Sequence, residues 1–196
     1  MTKLISKIKI GTKDGDRVIP MRSPVSNFMY LFQGALLETS NANVIDTGNV
    51  ARTCGAYYSV GNQWHWTGLN SILLPAYGVD TWGIQVGSNA TGVALTDYKL
   101  NTQITHGTGG AQLIYGAQQT LFNLSSGNNR YWKLQRYFVN YSGGALTIRE
   151  VGVVQRPTSA AGAVYNVLVC RDLTGDIVVP DTEAVTFEIS WQISLS

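Results

Sequence analysis

Residues 185–195 alternate between apolar and polar side chains. The apolar positions are Val185, Phe187, Ile189, Trp191, Ile193 and Leu195, and the polar positions between them are Thr186, Glu188, Ser190, Gln192 and Ser194. Successive side chains of a strand point to opposite faces, whereas a helix with one buried face repeats its apolar residues every three or four positions. The pattern therefore predicts a long β-strand with one buried face, in which Phe187 and Trp191 are core anchors.

Several segments upstream also have the features of short strands separated by turns. They cover residues 82–86, 112–115, 120–124, 131–139, 146–153 and 164–170, and we expect 112–115 and 120–124 to form a hairpin. The apolar phase slips by one residue at Arg149 and Glu150, which predicts a β-bulge. Residues 26–40 are compatible with either a strand or one short helix. Regularly spaced short strands predict an all-β fold, an antiparallel β-sandwich of the jelly-roll kind over residues 25–196.

Positive charge is concentrated at the start of the chain. Six of the fourteen basic residues lie in the first 22 positions, against only two acidic residues, and they are Lys3, Lys7, Lys9, Lys13, Arg17 and Arg22. This charge, together with Pro20 and Pro24, indicates an extended basic N-terminal arm over residues 1–24, separate from the sandwich. We expect such an arm to bind a partner during assembly and to contribute little to folding. The alternative is a solvated first strand.

The overall composition favours a protein that is covered by other proteins. Charged residues make up 13% of the chain and apolar residues 44%, which predicts a hydrophobic core beneath large, nearly neutral surfaces. A net charge of +2 is too small to favour specific binding of nucleic acid. No segment approaches the roughly 20 apolar residues that span a bilayer, and no apolar segment follows the N-terminal lysines. We therefore expect no membrane partner and no signal peptide.

The sequence contains few groups that could support catalysis or bind a metal. Its two histidines, His65 and His106, have no metal-ligand spacing to Cys, Asp or Glu. Cys54 and Cys170 are far apart, and we expect two free thiols, with Cys170 in a buried strand. Most acidic residues lie in turns or beside arginines, whose charge lowers a carboxyl pKa when a general acid needs it raised. We expect no enzyme activity, no cofactor and no metal.

Two dipeptides place an arginine next to an acidic residue, Arg149-Glu150 and Arg171-Asp172. Adjacent residues of a strand point to opposite faces, so the members of each dipeptide cannot pair with each other. Pairing across neighbouring strands would join Arg149 to Asp172 and Arg171 to Glu150. We expect these pairs to stabilise the sheet and to take no part in a reaction.

Aromatic residues cluster in the middle of the chain. The cluster comprises Tyr57, Tyr58, Trp64, Trp66, Tyr77 and Trp82. In an extended segment Trp64 and Trp66 lie on the same face. Exposed rings could stack on a glycan or anchor a protein interface, and Tyr58, Trp64 and Trp66 are the candidate residues for either role. The alternative is that these large side chains fill the core.

The second half of the chain carries a series of short motifs in a fixed order. They are GIQVG at 83–87, LTDYKL at 95–100, RYFVN at 136–140, SGGA at 142–145, TIREVG at 147–152 and LVCRD at 168–172, followed by the alternating last strand. This series resembles a domain of tailed-bacteriophage structural proteins that are found in head decorations, fibres and tail tips. The resemblance covers residues 80–196.

The resemblance implies a structural component of a virion, assembled in the host cytoplasm, and not a catalyst. It implies partners among the capsid or tail subunits and self-association, with a symmetric trimer as the first expectation. The chain has no coiled-coil or collagen-like repeat, which favours a decoration, vertex or tail-accessory protein over a fibre. The alternative is a receptor-binding or glycan-binding module of the same particle that uses the aromatic cluster.

Overall fold

The computed structural model describes residues 2–21, 23–36, 41–54, 57–60, 63–66, 74–126, 129–157, 159 and 162–195. Within these ranges the chain forms one helix and thirteen strands. In chain order they are β1 (Thr2–Thr12), β2 (Gly15–Pro20), α1 (Ser26–Leu36), β3 (Asn41–Ile45), β4 (Ala51–Cys54), β5 (Tyr57–Val60), β6 (Gln63–Trp66), β7 (Gly83–Gly87), β8 (Ile114–Tyr115), β9 (Gln119–Ser126), β10 (Asn129–Val139), β11 (Leu146–Gln155), β12 (Val167–Val179) and β13 (Ala184–Leu195).

Two antiparallel sheets form the body of the protein. The large sheet has the order β2-β1-β13-β10-β8, with β9 also paired to β10, and the small sheet has the order β12-β11-β7. The hairpins β3–β4 and β5–β6 lie outside these two sheets. The predicted all-β antiparallel sandwich is therefore confirmed, while the jelly-roll type stays a prediction. The expected hairpin between 112–115 and 120–124 is wrong, because β8 and β9 both pair with β10.

The hydrophobic core lies between the two sheets. The large sheet contributes apolar side chains from β1, β10 and β13, and the small sheet contributes those of β7, β11 and β12. Phe187 and Trp191 of β13 are buried, which confirms the predicted core face of the last strand over residues 185–191. The Trp191 ring stacks on Trp132 with a centroid distance of 4.0 Å. Phe187 meets Phe138 edge to face at 5.7 Å. Such aromatic pairs stabilise a core beyond the area that they bury.

The N-terminal residues are an integral part of the large sheet. β1 pairs with β13 over ten residues, from Thr2 to Gly11, and turns back into β2. Ile8 and Ile10 are fully buried in the core between the sheets. The prediction of a separate extended arm over residues 1–24 is therefore wrong for the described residues of this segment. The isoleucines alternate with lysines as in any half-buried strand, and this alternation was a better guide to the structure than the charge and the prolines.

A bulge and a cross-sheet turn organise the motifs of the second half. Arg149 faces three residues of β12, 174–176, so the predicted bulge at Arg149 and Glu150 is confirmed. Gly175 adopts φ +65° there, a conformation that glycine reaches without strain.

The turn 140–144 carries the chain from β10 in the large sheet to β11 in the small one. Buried Asn140 fixes this turn, because its Nδ2 donates to the carbonyl oxygens of Gly144 and Val179.

Residues 26–36 of the segment that was ambiguous in the sequence form the helix α1. Asn27 in its first turn is buried, and its Nδ2 donates to the carbonyl oxygens of Ile45 and Leu168. Its Oδ1 accepts a hydrogen bond from the Ile45 backbone N at 2.8 Å. One side chain thus joins the helix to β3 and to β12, the edge strand of the small sheet. The helix thereby covers part of that edge.

Candidate functional site

The outer face of the small sheet is covered by the loop 88–103, which a buried ion pair holds in place. Arg171 on β12 and Glu150 on β11 are each 0% exposed. Arg171 Nε donates to Glu150 Oε2 at 2.6 Å, and Arg171 Nη1 donates to Asp97 Oδ2 in the loop at 2.8 Å. Desolvation lowers the pKa of Arg171, but hydrogen bonds and attraction from Glu150 and Asp97 outweigh it and raise the pKa above its ordinary value. The guanidinium therefore stays charged.

The same two side chains also bind the backbone of the loop. Glu150 accepts hydrogen bonds from the backbone N of Thr102 at 2.8 Å and of Asn101 at 3.2 Å. Arg171 donates to the carbonyl oxygens of Thr91 at 2.9 Å and of Gly92 at 3.3 Å. Both sides of the loop are thus tied to one buried charged pair. We call this group of contacts the loop clamp.

One of the two predicted arginine–acid pairs is confirmed. Arg171 pairs with Glu150 as expected, but Arg149 pairs with Asp176, with 2.9 Å between Nε and Oδ1, and not with Asp172. The bulge opposite Arg149 explains the difference, because it shifts the register of β12 by two residues.

Two glycines of the small sheet allow the loop to approach it. A Cβ on Gly87 would lie 2.5 Å from both Glu150 Oε1 and the carbonyl oxygen of Thr102. A Cβ on Gly152 would lie 2.9 Å from the side chain of Leu100 in the loop. Larger residues would push the loop off the sheet, so the glycines of the GIQVG and TIREVG motifs have a packing role.

A polar cleft of about 310 Å³ opens beside the loop clamp. Its lining comes from four separate parts of the chain and consists of Thr47, Thr81, Gln85, Lys99, Leu100, Asn101, Gln103 and Asn166. The clamp fixes the part formed by residues 99–103, because Glu150 binds the backbone of that stretch. The side of the cleft formed by residues 99–103 is therefore held in place by the protein itself.

The side chains that line the cleft are mostly neutral and polar. The described lining holds amides, hydroxyls, Leu100 and Lys99, with no Asp, Glu, His or Cys side chain among them, and Lys99 Nζ lies 5.7 Å from the centre of the Tyr98 ring. Gln85 is 4% exposed, and its Nε2 donates to the carbonyl oxygen of Asp80 at 2.7 Å. Gln103 Nε2 donates to the same oxygen at 2.5 Å. This lining is suited to hold a polar molecule by hydrogen bonds.

Sequence reasoning missed the cleft because its residues are common polar types scattered from Thr47 to Asn166. One signal was present. Gln85 is an amide in the middle of a strand whose five residues are all buried, and a buried amide needs hydrogen-bond partners.

A second buried arginine, Arg136 of β10, holds the segment before β7 against the large sheet. It donates to the carbonyl oxygens of Val79, Trp82, Ile84 and Gly116, at 3.0 Å for Ile84 and 2.8 Å for Gly116. Burial lowers its pKa to about 10. Its guanidinium also lies 4.8 Å from the centre of the Tyr115 ring, a cation–π distance. These contacts give Arg136 a structural role.

Five of the six predicted basic residues lie on the hairpin formed by β1 and β2, and some of them are paired with acidic residues. Lys9 pairs with Asp16 at 2.7 Å and Lys13 with Glu183 at 3.0 Å, and both interactions raise the lysine pKa. The other predicted residues are spread over the hairpin: Lys7 is exposed on β1, Arg17 is exposed on β2 beside Gly175, the backbone of Lys3 pairs with Ser194, and Arg22 lies outside the described residues. Two of the six charges are thus neutralised within the chain.

The predicted aromatic residues lie on the hairpin β5–β6. Trp64 is opposite Ser59, Trp66 is opposite Tyr57, and Tyr58 is opposite His65. The side chains of this hairpin lie outside what the structure describes. The choice between a core and a binding surface at Tyr58, Trp64 and Trp66 therefore stays open.

The histidine and the thiols that the structure describes have structural surroundings. His106 Nδ1 accepts a hydrogen bond from the Tyr115 backbone N at 3.1 Å. Cys54 and Cys170 are both free thiols and Cys170 is buried, as expected, and Cys54 is buried as well. No cluster of three or more His, Cys, Asp or Glu in the described ranges is placed to hold a metal ion. The one described helix, α1, is too short to cross a membrane.

No protein-family model, curated protein or solved structure matches this chain. The fold and the cleft define a two-sheet all-β protein with a clamped loop over its small sheet. The resemblance to phage structural proteins rests on sequence motifs and stays a prediction.

Proposed function

We propose that this chain is a non-enzymatic structural subunit of a virus particle of the tailed-phage kind. It binds the capsid shell or the tail and associates with further copies of itself. The motifs that resemble phage structural proteins support this proposal, because their polar residues are used for rigidity. Glu150, Arg171 and Asn140 are buried and fix loops, which is the role of a scaffold for surfaces.

The observation that carries the proposal is a large apolar side chain held outward by a rigid backbone. Leu95 is 70% exposed. Its carbonyl oxygen accepts hydrogen bonds from the backbone N and the Oγ of Ser26, both at 2.9 Å. Asp97, two residues on, is held by Arg171. An apolar group on a fixed backbone loses little entropy when a partner covers it, so it is well suited to an interface.

Other large apolar side chains are exposed on several described elements. They include Val18, Met29, Leu74, Tyr77, Tyr137, Tyr141, Val164 and Val178. Single exposed apolar residues are ordinary, but interfaces are enriched in tyrosine and methionine and depleted of charge. A protein that is covered on more than one side in an assembly would show this distribution.

Two ion pairs lie on the large sheet. Lys133 of β10 contacts Glu188 of β13 at 2.8 Å, and Lys9 contacts Asp16 across the N-terminal hairpin. Paired charges leave little net field for nucleic acid, whose binding depends on unpaired cations. This supports protein partners.

The proposal is tested by sedimentation of the purified chain at micromolar concentration and by co-sedimentation with isolated phage heads or tails. We expect an oligomer, with a trimer as the first expectation, or binding to one of the two particles. Leu95→Asp should weaken that association by about fivefold or more, as for an interface residue worth over 1 kcal/mol.

Ala90→Asp is the matched control, because it adds the same charge at an exposed position of the same loop. We expect it to change the association by less than about twofold. A monomer that binds neither heads nor tails would overturn the proposal.

A further inference from the structure

We propose that the polar cleft beside the loop clamp binds one saccharide unit that carries an acidic group. This site is independent of the assembly function, and it is distinct from the aromatic residues Tyr58, Trp64 and Trp66.

The first argument is a buried acceptor without a partner. Gln85 lines the cleft and is 4% exposed. Its Nε2 faces the carbonyl oxygen of Asp80, and a carbonyl can only accept, so the orientation of the amide is fixed. Gln85 Oε1 is thereby left with no hydrogen-bond donor among the described residues. Buried polar atoms are normally satisfied, and the hydroxyl group of a ligand in the cleft would donate to this oxygen.

The second argument is the character of the neighbouring side chains. Four of them are neutral amides or hydroxyls whose side chains have no hydrogen-bond partner in the described part of the chain, and they are Thr47, Thr81, Asn101 and Asn166. Together they offer both donors and acceptors. Sugar hydroxyls are also both donors and acceptors, so a sugar ring could use this mixed set where a purely anionic or apolar ligand could not.

The third argument is that part of this lining is held in place before any ligand arrives. The backbone N of Asn101 donates to Glu150, and the backbone N of Thr47 donates to the carbonyl oxygen of Asn166 at 2.8 Å. Groups that are already positioned lose less entropy on binding. The volume of about 310 Å³ is at the small end of ligand sites, which suits a single ring.

Lys99 supplies the preference for an acidic sugar. It is exposed and is the one charged side chain among the described lining residues. Its Nζ lies over the Tyr98 ring and forms no ion pair with a described carboxylate, so it is available to attract a carboxylate on the ligand.

The experiment uses the full chain on an array of immobilised glycans that contains matched acidic and neutral sugars, including uronic acids and the corresponding hexoses. Calorimetry then measures the best-bound sugar. We expect an acidic sugar to bind more tightly than its neutral counterpart. Lys99→Ala and Asn101→Ala should each weaken binding by about tenfold, because each removes a direct contact. Both residues are exposed, so both variants should fold.

Lys7→Ala is the matched control, since it removes an exposed lysine from β1 of the large sheet, and we expect binding to be unchanged. The proposal is overturned if no glycan binds, if acidic and neutral sugars bind equally, or if neither cleft variant weakens binding. Equal binding by the cleft variants would place the sugar elsewhere, with the β5–β6 hairpin as the next segment to substitute. Self-association is measured separately, so failure here leaves the assembly proposal untouched.

Discussion

Removal of the Glu150 carboxylate should be among the most damaging single changes in this protein. The carboxylate is fully buried and accepts three hydrogen bonds, from Arg171 Nε at 2.6 Å, Thr102 N at 2.8 Å and Asn101 N at 3.2 Å. Glu150→Ala would leave these donors without their acceptor and would leave the buried guanidinium of Arg171 with Asp97 as its remaining acidic partner.

The expected loss follows from the cost of an uncompensated buried charge. Removal of one partner of a buried ion pair costs about 3–5 kcal/mol of the free energy of unfolding. For a chain of this length that loss lowers Tm by roughly 6–20 °C. Asp97→Ala should cost less, about 1–3 kcal/mol, because it removes the hydrogen bonds from Arg171 and the Ala94 backbone N but leaves the Arg171–Glu150 pair intact.

Urea unfolding followed by tryptophan fluorescence measures these losses. The double variant Glu150→Leu with Arg171→Met is the informative control, because it removes both charges and should recover part of the loss of Glu150→Ala. Hydrogen exchange should show reduced protection of the Asn101 and Thr102 amides in Glu150→Ala. A cost under about 1 kcal/mol with unchanged exchange would refute the role of the loop clamp.

Three further predictions concern the core. Ile10→Ala should lower the free energy of unfolding by about 2–5 kcal/mol, because Ile10 is buried between the sheets. Unchanged stability would instead favour the hypothesis that residues 1–24 form an arm separate from the sandwich. Phe187→Ala and Trp191→Ala should each cost about 3–5 kcal/mol in the same assay, and a loss under about 1 kcal/mol would show an exposed face. Cys54 and Cys170 should react with iodoacetamide far more slowly in the native protein than in urea at about pH 8. Burial raises the pKa of Cys54 to about 11 and that of Cys170 above its ordinary value, so equal rates would contradict the burial.

Local patterns predicted the elements whose residues carry their own signal. The alternation in 185–195 predicted the strand and its buried face, because a period of two is the direct consequence of strand geometry. The phase slip at Arg149 and Glu150 predicted the bulge for the same reason. The Arg171–Glu150 pair followed from opposite faces of adjacent strands, but the partner of Arg149 did not, because the length of the bulge is invisible in sequence.

The arrangement of strands in space was not predictable from these patterns. Residues 131–139 and 146–153 are separated by a short polar turn that is typical of a hairpin. They belong to different sheets, because the turn fixed by Asn140 carries the chain across the core. Only long-range packing decides this choice, and it has no local signature.

The N-terminal strand shows how charge can hide a core strand. Lys7 and Lys9 lie on the outer face of β1, and Ile8 and Ile10 lie on the inner one. The charge alone indicates a basic segment, whereas the alternation of apolar and polar residues indicates a half-buried strand. The polar cleft was hidden for a different reason, since its residues have no pattern until distant segments are brought together.

Most of the carboxylates that the structure describes are committed to ion pairs within the chain. At least seven of the twelve acidic residues contact a basic side chain, and they are Asp16, Asp46, Asp97, Glu150, Asp176, Glu183 and Glu188. Internal pairing offsets the field of these charges locally, and several pairs, such as Lys9 with Asp16, lie at the surface. The surfaces that remain for partners are therefore more neutral than the composition alone indicates.

This pairing predicts how association responds to salt. If neutral surfaces hold the assembly together, raising the salt concentration from about 50 to about 200 mM should change the association constant by less than about threefold, because screening acts on unpaired surface charges. Sedimentation equilibrium at the two concentrations measures the change, with Lys7→Ala as a variant that lacks one exposed cation of β1. Contact with an acidic partner through the basic N-terminal hairpin would behave differently. Association would then fall by about tenfold or more, and the Lys7 variant would show a smaller fall. That outcome would assign the interface to β1 and β2 and would exclude association through neutral surfaces alone.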